Sequence, residues 1–260
     1  MQEKRRILLK IEYRGTDFSG WQMQKDYRTV QGELERVLLE VCGHPVTLYG
    51  SGRTDKGVHA MGQTAHFDTT CSIPADRFSF PLNIALPADV KIRESKQVPP
   101  RFHARFDTER KTYVYRMYES IFERPLLHPY ALQVYPSVDV EAMNLACTHL
   151  IGRQDFNAFK AEGNNTIKDT VRLITAARVD RLPGGELRFV ITGKGFLYNM
   201  VRIIVGTLIE IGQGKHPPEY MREVIDSKNR LLAGKTVGAE GLYLWHVSYA
   251  DGLGFEPDPL

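Results

Sequence analysis

The sequence predicts an α+β fold in two similar-sized halves, and three observations predict it. Of its 260 residues 42% are apolar, enough to fill one large core or two modest ones. Short runs alternate apolar with polar side chains, the period of half-buried strands, and between them lie stretches whose apolar residues recur at helical spacing. Both patterns occur in each half of the chain. Glycine, proline and charged residues stand near ordinary levels, so collagen-like, low-complexity and disordered classes are excluded for the bulk of the sequence.

In chain order, Ile7, Leu9, Ile11 and Tyr13 alternate with Lys10 and Glu12 and predict a strand. Thr29 caps a helix whose Val30, Leu34, Val37, Leu38 and Val41 share one face, with Gly43 just beyond its end. Strands are expected near Val46 to Tyr49, at Thr64 to Phe67 and from Val90 to Ile92. Pro74 opens a short helix around Arg77 to Ile84, and Pro99-Pro100 ends the third of those strands. The second half continues with a strand at Lys111 to Tyr118 and a helix near Val140 to Ile151. Strands at Val171 to Asp180 and Leu187 to Thr192 are paired through a Pro183-Gly184-Gly185 turn. An apolar helix from about Leu197 to Ile211 follows, Pro217-Pro218 opens another, and Leu242 to Tyr249 alternates as a final strand. Ser120 to Ser137, with three prolines, is an irregular excursion. The expected division is 1–106, 107–250 and a flexible tail at 251–260. Two sheets joined edge to edge, with helices on one side, would leave a ligand cleft between them.

Three cysteines (Cys42, Cys71, Cys147) and eight scattered histidines give neither a disulfide framework nor a metal-ligand spacing, so no metal is expected. No apolar stretch approaches the length of a bilayer span and the amino terminus lacks a signal-peptide pattern, so a cytoplasmic protein is expected. Net charge is only +3, but Lys91 to Arg116 holds eight basic residues against three acidic ones. Arg101, Arg105 and Arg110 are interleaved there with Phe102, Phe106, Tyr113 and Tyr115. That mixture suits phosphate pairing and base stacking as well as it suits a solvated face.

The richest local signal is GSGRTDKGVHA at Gly50 to Ala60, a glycine- and serine-rich loop after a predicted strand, with Arg53, Asp55 and Lys56 at its tip. It lacks the Gly-Lys-Ser/Thr of a phosphate-binding P-loop. What remains is one carboxylate among cations; an ordinary Asp-Lys-Gly turn has the same composition.

GRTDKGVHA resembles the catalytic signature of the tRNA pseudouridine synthase A family. GTDFSGWQ (Gly15 to Gln22), FHARF (Phe102 to Phe106), RKTYVYR (Arg110 to Arg116), DFNAF (Asp155 to Phe159), GFLYNMVRIIVG (Gly195 to Gly206) and EGLYLWHV (Glu240 to Val247) follow in that family's order. The resemblance runs from Ile7 to Tyr249. Phe18 stands where tyrosine is expected and Gly238 where alanine or proline is usual; neither touches the chemistry. The resemblance implies the pseudouridine synthase fold, two α+β halves with mainly antiparallel sheets around a central catalytic cleft. It also implies isomerisation of uridine to pseudouridine at nucleotides 38, 39 and 40 of the tRNA anticodon stem-loop, without metal or organic cofactor, by a homodimer. Asp55 would be the catalytic carboxylate, acting as a nucleophile at C1′ or a base at C2′, and both routes need it ionised. Arg202, alone among the apolar residues of its helix, would be its cationic partner. Tyr113 would lie against the uracil, stacking on it or relaying the C5 proton. Arg53 would hold the target nucleotide out of the stack, and Trp21 and Gln22 would shape the loop beneath Asp55. Leu242 and Leu244 would line the uracil pocket, with Arg101, Arg105 and Arg110 on the RNA backbone. Two other classes stand beside this one. One is a non-catalytic RNA-binding module with a stacking sheet. The other is a glycosidase-type hydrolase, which ordinarily needs two carboxylates.

Overall fold

A computed structural model describes residues 4–161 and 169–260. Its strands are β1 (Arg5–Tyr13), β2 (Tyr49–Gly50), β3 (His59–Thr69), β4 (Val90–Val98), β5 (Thr108–Glu119), β6 (Leu132–Val134), β7 (Gly152–Asp155), β8 (Val171–Arg181), β9 (Glu186–Lys194) and β10 (Leu242–Tyr249). Its helices are α1 (Val30–Cys42), α2 (Ser79–Ala85), α3 (Val140–Thr148), α4 (Met200–Gly212) and α5 (Tyr220–Ser227). The chain forms two compact units, Met1–Glu109 together with Tyr243–Leu260, and Arg110–Leu242. The first division falls between Glu109 and Arg110. The final strand, expected with the second half, belongs from Tyr243 onward to the first unit.

In the first unit β4, β1, β3 and β10 lie side by side. β1 is antiparallel to both β3 and β4, β10 is parallel to β3, and β2 pairs with β3. α1 forms as its sequence demands. The Thr29 side chain accepts from the Gly32 N–H, Gly43 ends the helix at φ 73°, and Leu34, Val37 and Leu38 lose all exposure. Burial of that kind contributes about 1.5–3 kcal/mol for each large side chain. The strand expected at Val46 to Tyr49 is reduced to Tyr49–Gly50. Pro45 has no N–H to offer, and α1 takes both polar groups of Leu48: its N–H donates to Glu35 Oε1 (2.9 Å) and its carbonyl accepts from Gln31 Nε2 (3.2 Å). The tail is irregular, as composition suggests, but it is tied down. Lys10, 4% exposed within β1, meets Asp258 (3.1 Å) and Glu94 (3.2 Å). Trp245 Nε1 donates to the Asp258 carbonyl (3.1 Å), and Lys96 lies over the Phe255 ring. A buried ammonium needs such partners, and the tail supplies one of them.

In the second unit β5, β9, β8 and β7 form consecutive antiparallel pairs, and β6 adds to β5 in parallel. α3 packs on β8 and on α4. α4 begins at Met200 rather than near Leu197, because Asn199 takes a left-handed conformation (φ 58°) ahead of it.

Candidate active site

The loop carrying Asp55 is fixed from three sides within the first unit. At its base Ser51 is fully buried; its N–H donates to the Thr64 carbonyl (2.8 Å) and its Oγ donates to Gln63 Oε1 (2.6 Å). Gln63 Nε2 donates to the Gly52 carbonyl (2.9 Å). At its middle, Thr54 shares a hydrogen bond with the Tyr13 hydroxyl (2.7 Å) and its carbonyl accepts from the Trp21 N–H (3.0 Å). Burial pushes the Tyr13 phenol well above its usual range, so it remains a neutral hydroxyl. At its tip the Val58 N–H donates to the Asp55 carbonyl (3.2 Å), closing a turn through Gly57 at φ 82°.

The GTDFSGWQ segment lies backbone to backbone on this turn. A Cβ on Gly20, whose φ is +94°, would stand 2.7 Å from the Thr54 carbonyl oxygen; one on Gly15 would stand 2.0 Å from that of Val58. Only glycine allows that approach. Asp55 is half-buried between exposed Arg53 and Lys56. Arg53 Nε donates to Gln22 Oε1 (3.1 Å), and Gln22 Nε2 in turn donates to Gln31 Oε1 (2.7 Å) of α1. Trp21 and Gln22 thus support the loop. Sequence reasoning does not bring Gln31, Gln63 or Tyr13 to it, although Gln31 carries one signal: it is a polar residue at the i−3 and i−7 positions of the buried Leu34 and Leu38.

In the second unit Tyr113 on β5 is 8% exposed, and the Phe196 ring meets it edge-on with centroids 4.9 Å apart. Its neighbour Tyr115 is fully buried and donates to the Gly238 carbonyl (2.7 Å). Arg202 on α4 is held at two points. Nε donates to the Val237 carbonyl (2.7 Å) and Nη1 to Asn199 Oδ1 (2.8 Å). A guanidinium fixed in this way is not a surface charge following solvent, and its planar fork keeps further donors for an oxyanion. Leu242 and Leu244 are both buried, Leu242 in the second unit and Leu244 in the first.

The basic segment divides. Lys91 donates to the Asn83 and Leu86 carbonyls, Arg93 pairs with Glu12 (2.6 Å) and Arg116 with Glu186 (2.9 Å), all within their own units. Arg101, Arg105 and Arg110 are exposed. Of the interleaved aromatics Phe102, Tyr113 and Tyr115 are buried, and Phe106 alone is solvent-facing. Among the described residues no group of three or more His, Cys, Asp or Glu side chains could hold a metal ion, and no helix is long and apolar enough to cross a membrane.

The sequence profile of the family described as tRNA pseudouridine synthase matches residues 10–107 and 146–250. A tRNA pseudouridine synthase A of Anoxybacillus flavithermus is 48% identical over 251 residues, spanning 94% of this chain and 99% of its own length. That of Acetivibrio thermocellus is 46% identical over 245 residues, and that of Brevibacillus brevis 45% over 245, each with 94% of this chain and 100% of the relative covered. With a profile match over most of its length and relatives this similar from end to end, the chain belongs to the tRNA pseudouridine synthase family.

Proposed function

We propose that this enzyme, a tRNA uridine isomerase, acts at nucleotides 38, 39 and 40 of the anticodon stem-loop with Asp55 as its catalytic carboxylate. The observation that carries the assignment of Asp55 is its place on a loop whose base, middle and tip are each hydrogen-bonded, between two exposed cations. The N1–C1′ bond of uridine breaks, the base turns, and a C5–C1′ bond forms; C5 loses a proton and N1 gains one, so the composition is unchanged. Asp55 initiates cleavage as a nucleophile at C1′ or a base at C2′. Arg202 holds that carboxylate ionised. Tyr113 lies against the uracil, stacking on it or carrying the C5 proton away through its hydroxyl. Arg53 occupies the space left in the stack when the target nucleotide is extruded. Leu242 and Leu244 bound the uracil, and Arg101, Arg105 and Arg110 meet phosphates.

These steps call on no metal or organic cofactor. The reading carries with it a cytoplasmic location, where tRNA is the substrate, and a homodimer in which one tRNA touches both subunits; light scattering of the purified chain measures the latter. Tritium release from C5-labelled uridine in tRNA, followed by mapping of the product nucleotides, tests the reaction. Release at 38, 39 and 40 supports the proposal. Free uracil would indicate hydrolysis, and binding without either product would indicate a non-catalytic module. Charge reversal at Arg101, Arg105 or Arg110 is expected to flatten the slope of log affinity against log salt by about one for each phosphate that the variant no longer neutralises.

A further inference from the structure

Next to the Asp55 loop in sequence, but outside the chemistry assigned above, the first unit carries a connected tier of aromatic rings that ends in solvent. Tyr49, 49% exposed, stacks on buried His66 with centroids 5.2 Å apart and planes 18° from parallel. His66 meets His103 edge-on at 4.8 Å, and His103 lies 4.3 Å from Phe106. Phe106 is 75% exposed, a large apolar side chain that adds little to the core.

The backbone beneath it is unusually well held for a surface turn. The His103 N–H donates to Asp107 Oδ2 (2.7 Å), and the Asp107 N–H returns to the His103 carbonyl (3.0 Å). The Ala104 N–H donates to His66 Nδ1 (3.1 Å), while the Ala104 carbonyl accepts from the hydroxyls of Thr108 and Tyr249 (2.7 Å each). The Arg105 N–H donates to His103 Nδ1 (3.1 Å), which makes this ring nitrogen an acceptor. Phe106 is therefore presented rather than loose. The Arg105 guanidinium lies 5.9 Å from the Phe106 ring centre, and Arg101 and Arg105 form no ion pair among the described residues. The nearby carboxylates are engaged elsewhere, Asp107 with its own turn and Asp68 with Arg6.

A pre-positioned aromatic face beside two unneutralised guanidinium groups matches one ligand chemistry, a base joined to a phosphate. A protein partner would match the rings, but only an acidic one would also match the positive charge. Resting on the reading of this chain as a tRNA-modifying enzyme, we propose that Phe106, backed by His103 and Tyr49, stacks an unpaired nucleotide of the tRNA other than the uridine being isomerised, with Arg101 and Arg105 on the flanking phosphates.

The test measures affinity for full-length tRNA on an Asp55→Asn background, by anisotropy of labelled tRNA, for Phe106→Leu and Phe106→Tyr. Leucine keeps apolar bulk and removes the π-face, and it is expected to weaken binding about 5- to 150-fold. Tyrosine is expected to bind as the parent does. The preference for tRNA over a blunt RNA duplex should shrink in Phe106→Leu, since a duplex offers no unpaired base. Both variants alter an exposed side chain and are expected to melt with the parent. Parental affinity in Phe106→Leu overturns the proposal. So does a change of oligomeric state in Phe106→Leu without RNA, which would make the tier a contact between copies. The underlying reading is followed separately by pseudouridine formation in the wild type. An inactive wild type with Phe106-dependent binding would sink that reading alone, and an active wild type indifferent to Phe106 would sink only this one.

Discussion

The two units hold their chemical groups by different means. In the first, Asp55 stands on a loop without regular structure, fixed because another stretch of backbone presses on it at Gly15 and Gly20. In the second, Tyr113 and Arg202 stand on a strand and a helix, whose ladders place the side chains, and contacts from Phe196, Asn199 and Val237 help to orient them. A loop gains rigidity from contacts so close that no side chain can be added. A strand or helix gains it from repetition, and a change to one neighbour is absorbed.

The largest effect is expected at the loop. Asp55→Asn keeps shape and removes the carboxylate, and is expected to lower isomerisation by about 10,000-fold or more while tRNA binding persists. Single-turnover assays check this, and activity above a few per cent of wild type would remove Asp55 from the central role. Arg202→Ala should follow it closely. A pH-rate profile of Arg202→Lys that coincides with wild type would break the proposed pairing of Arg202 with Asp55.

Tyr113→Phe comes next and separates stacking from proton transfer. Only the hydroxyl is lost, so tRNA should bind normally while tritium release falls about 100- to 10,000-fold, the range for a removed general acid or base. Wild-type release in this variant, together with an inactive Tyr113→Ala, would reduce the tyrosine to a stacking platform.

Two glycines sharpen the contrast directly. Gly20→Ala places a methyl against the Thr54 carbonyl at a positive φ, and is expected to cost about 2–4 kcal/mol in chemical denaturation and to lower turnover with it. Gly152→Ala in the second unit has an equally left-handed φ (+110°) but open space around it. It should cost only about 1–2 kcal/mol. Equal costs at the two sites would mean that the pressed loop carries no special constraint.

The smallest effect concerns acid. Burial, helped by the Arg6 and His103 charges, pushes the His66 imidazole down to about 4; burial also lowers His103 and His246, and all three lie in the first unit. A histidine lowered in the folded state takes up its proton more readily when unfolded, so stability is complete above the unfolded value near 6.5 and declines as pH falls toward 4. His66→Gln should flatten that decline by about 1–2 kcal/mol. Melting followed by probes in each unit would show whether the acid sensitivity belongs to the first.

Much of the fold is legible in the sequence because it is local. Thr29, Gly43 and the apolar spacing between them specify α1, and the alternation from Leu242 to Tyr249 matches β10 at both ends. The GRTDKGVHA loop stands out through its resemblance to a family signature, since its composition alone also fits an ordinary Asp-Lys-Gly turn. Illegible features are those whose partners lie far along the chain. Nothing near Leu48 announces that Glu35 and Gln31 will take its polar groups and shorten β2. The eight basic residues from Lys91 to Arg116 look equivalent until Lys91, Arg93 and Arg116 are seen to be spoken for. The composition of the tail suggests flexibility because it says nothing of Lys10, at the opposite end of the chain.

That last contact bears on the order in which the protein can be made. The first unit consists of the two ends of the chain, with the whole of the second unit threaded between them. On the ribosome β1, β3 and β4 emerge early, but the strand beside β3 and the carboxylate for Lys10 emerge last. The unit that bears Asp55 is thus completed only after the other has been synthesised. A fragment ending near residue 109 would lack one strand and leave a buried ammonium with only Glu94, so a stand-alone version of the Asp55 half must splice the segment from Tyr243 onward to Glu109.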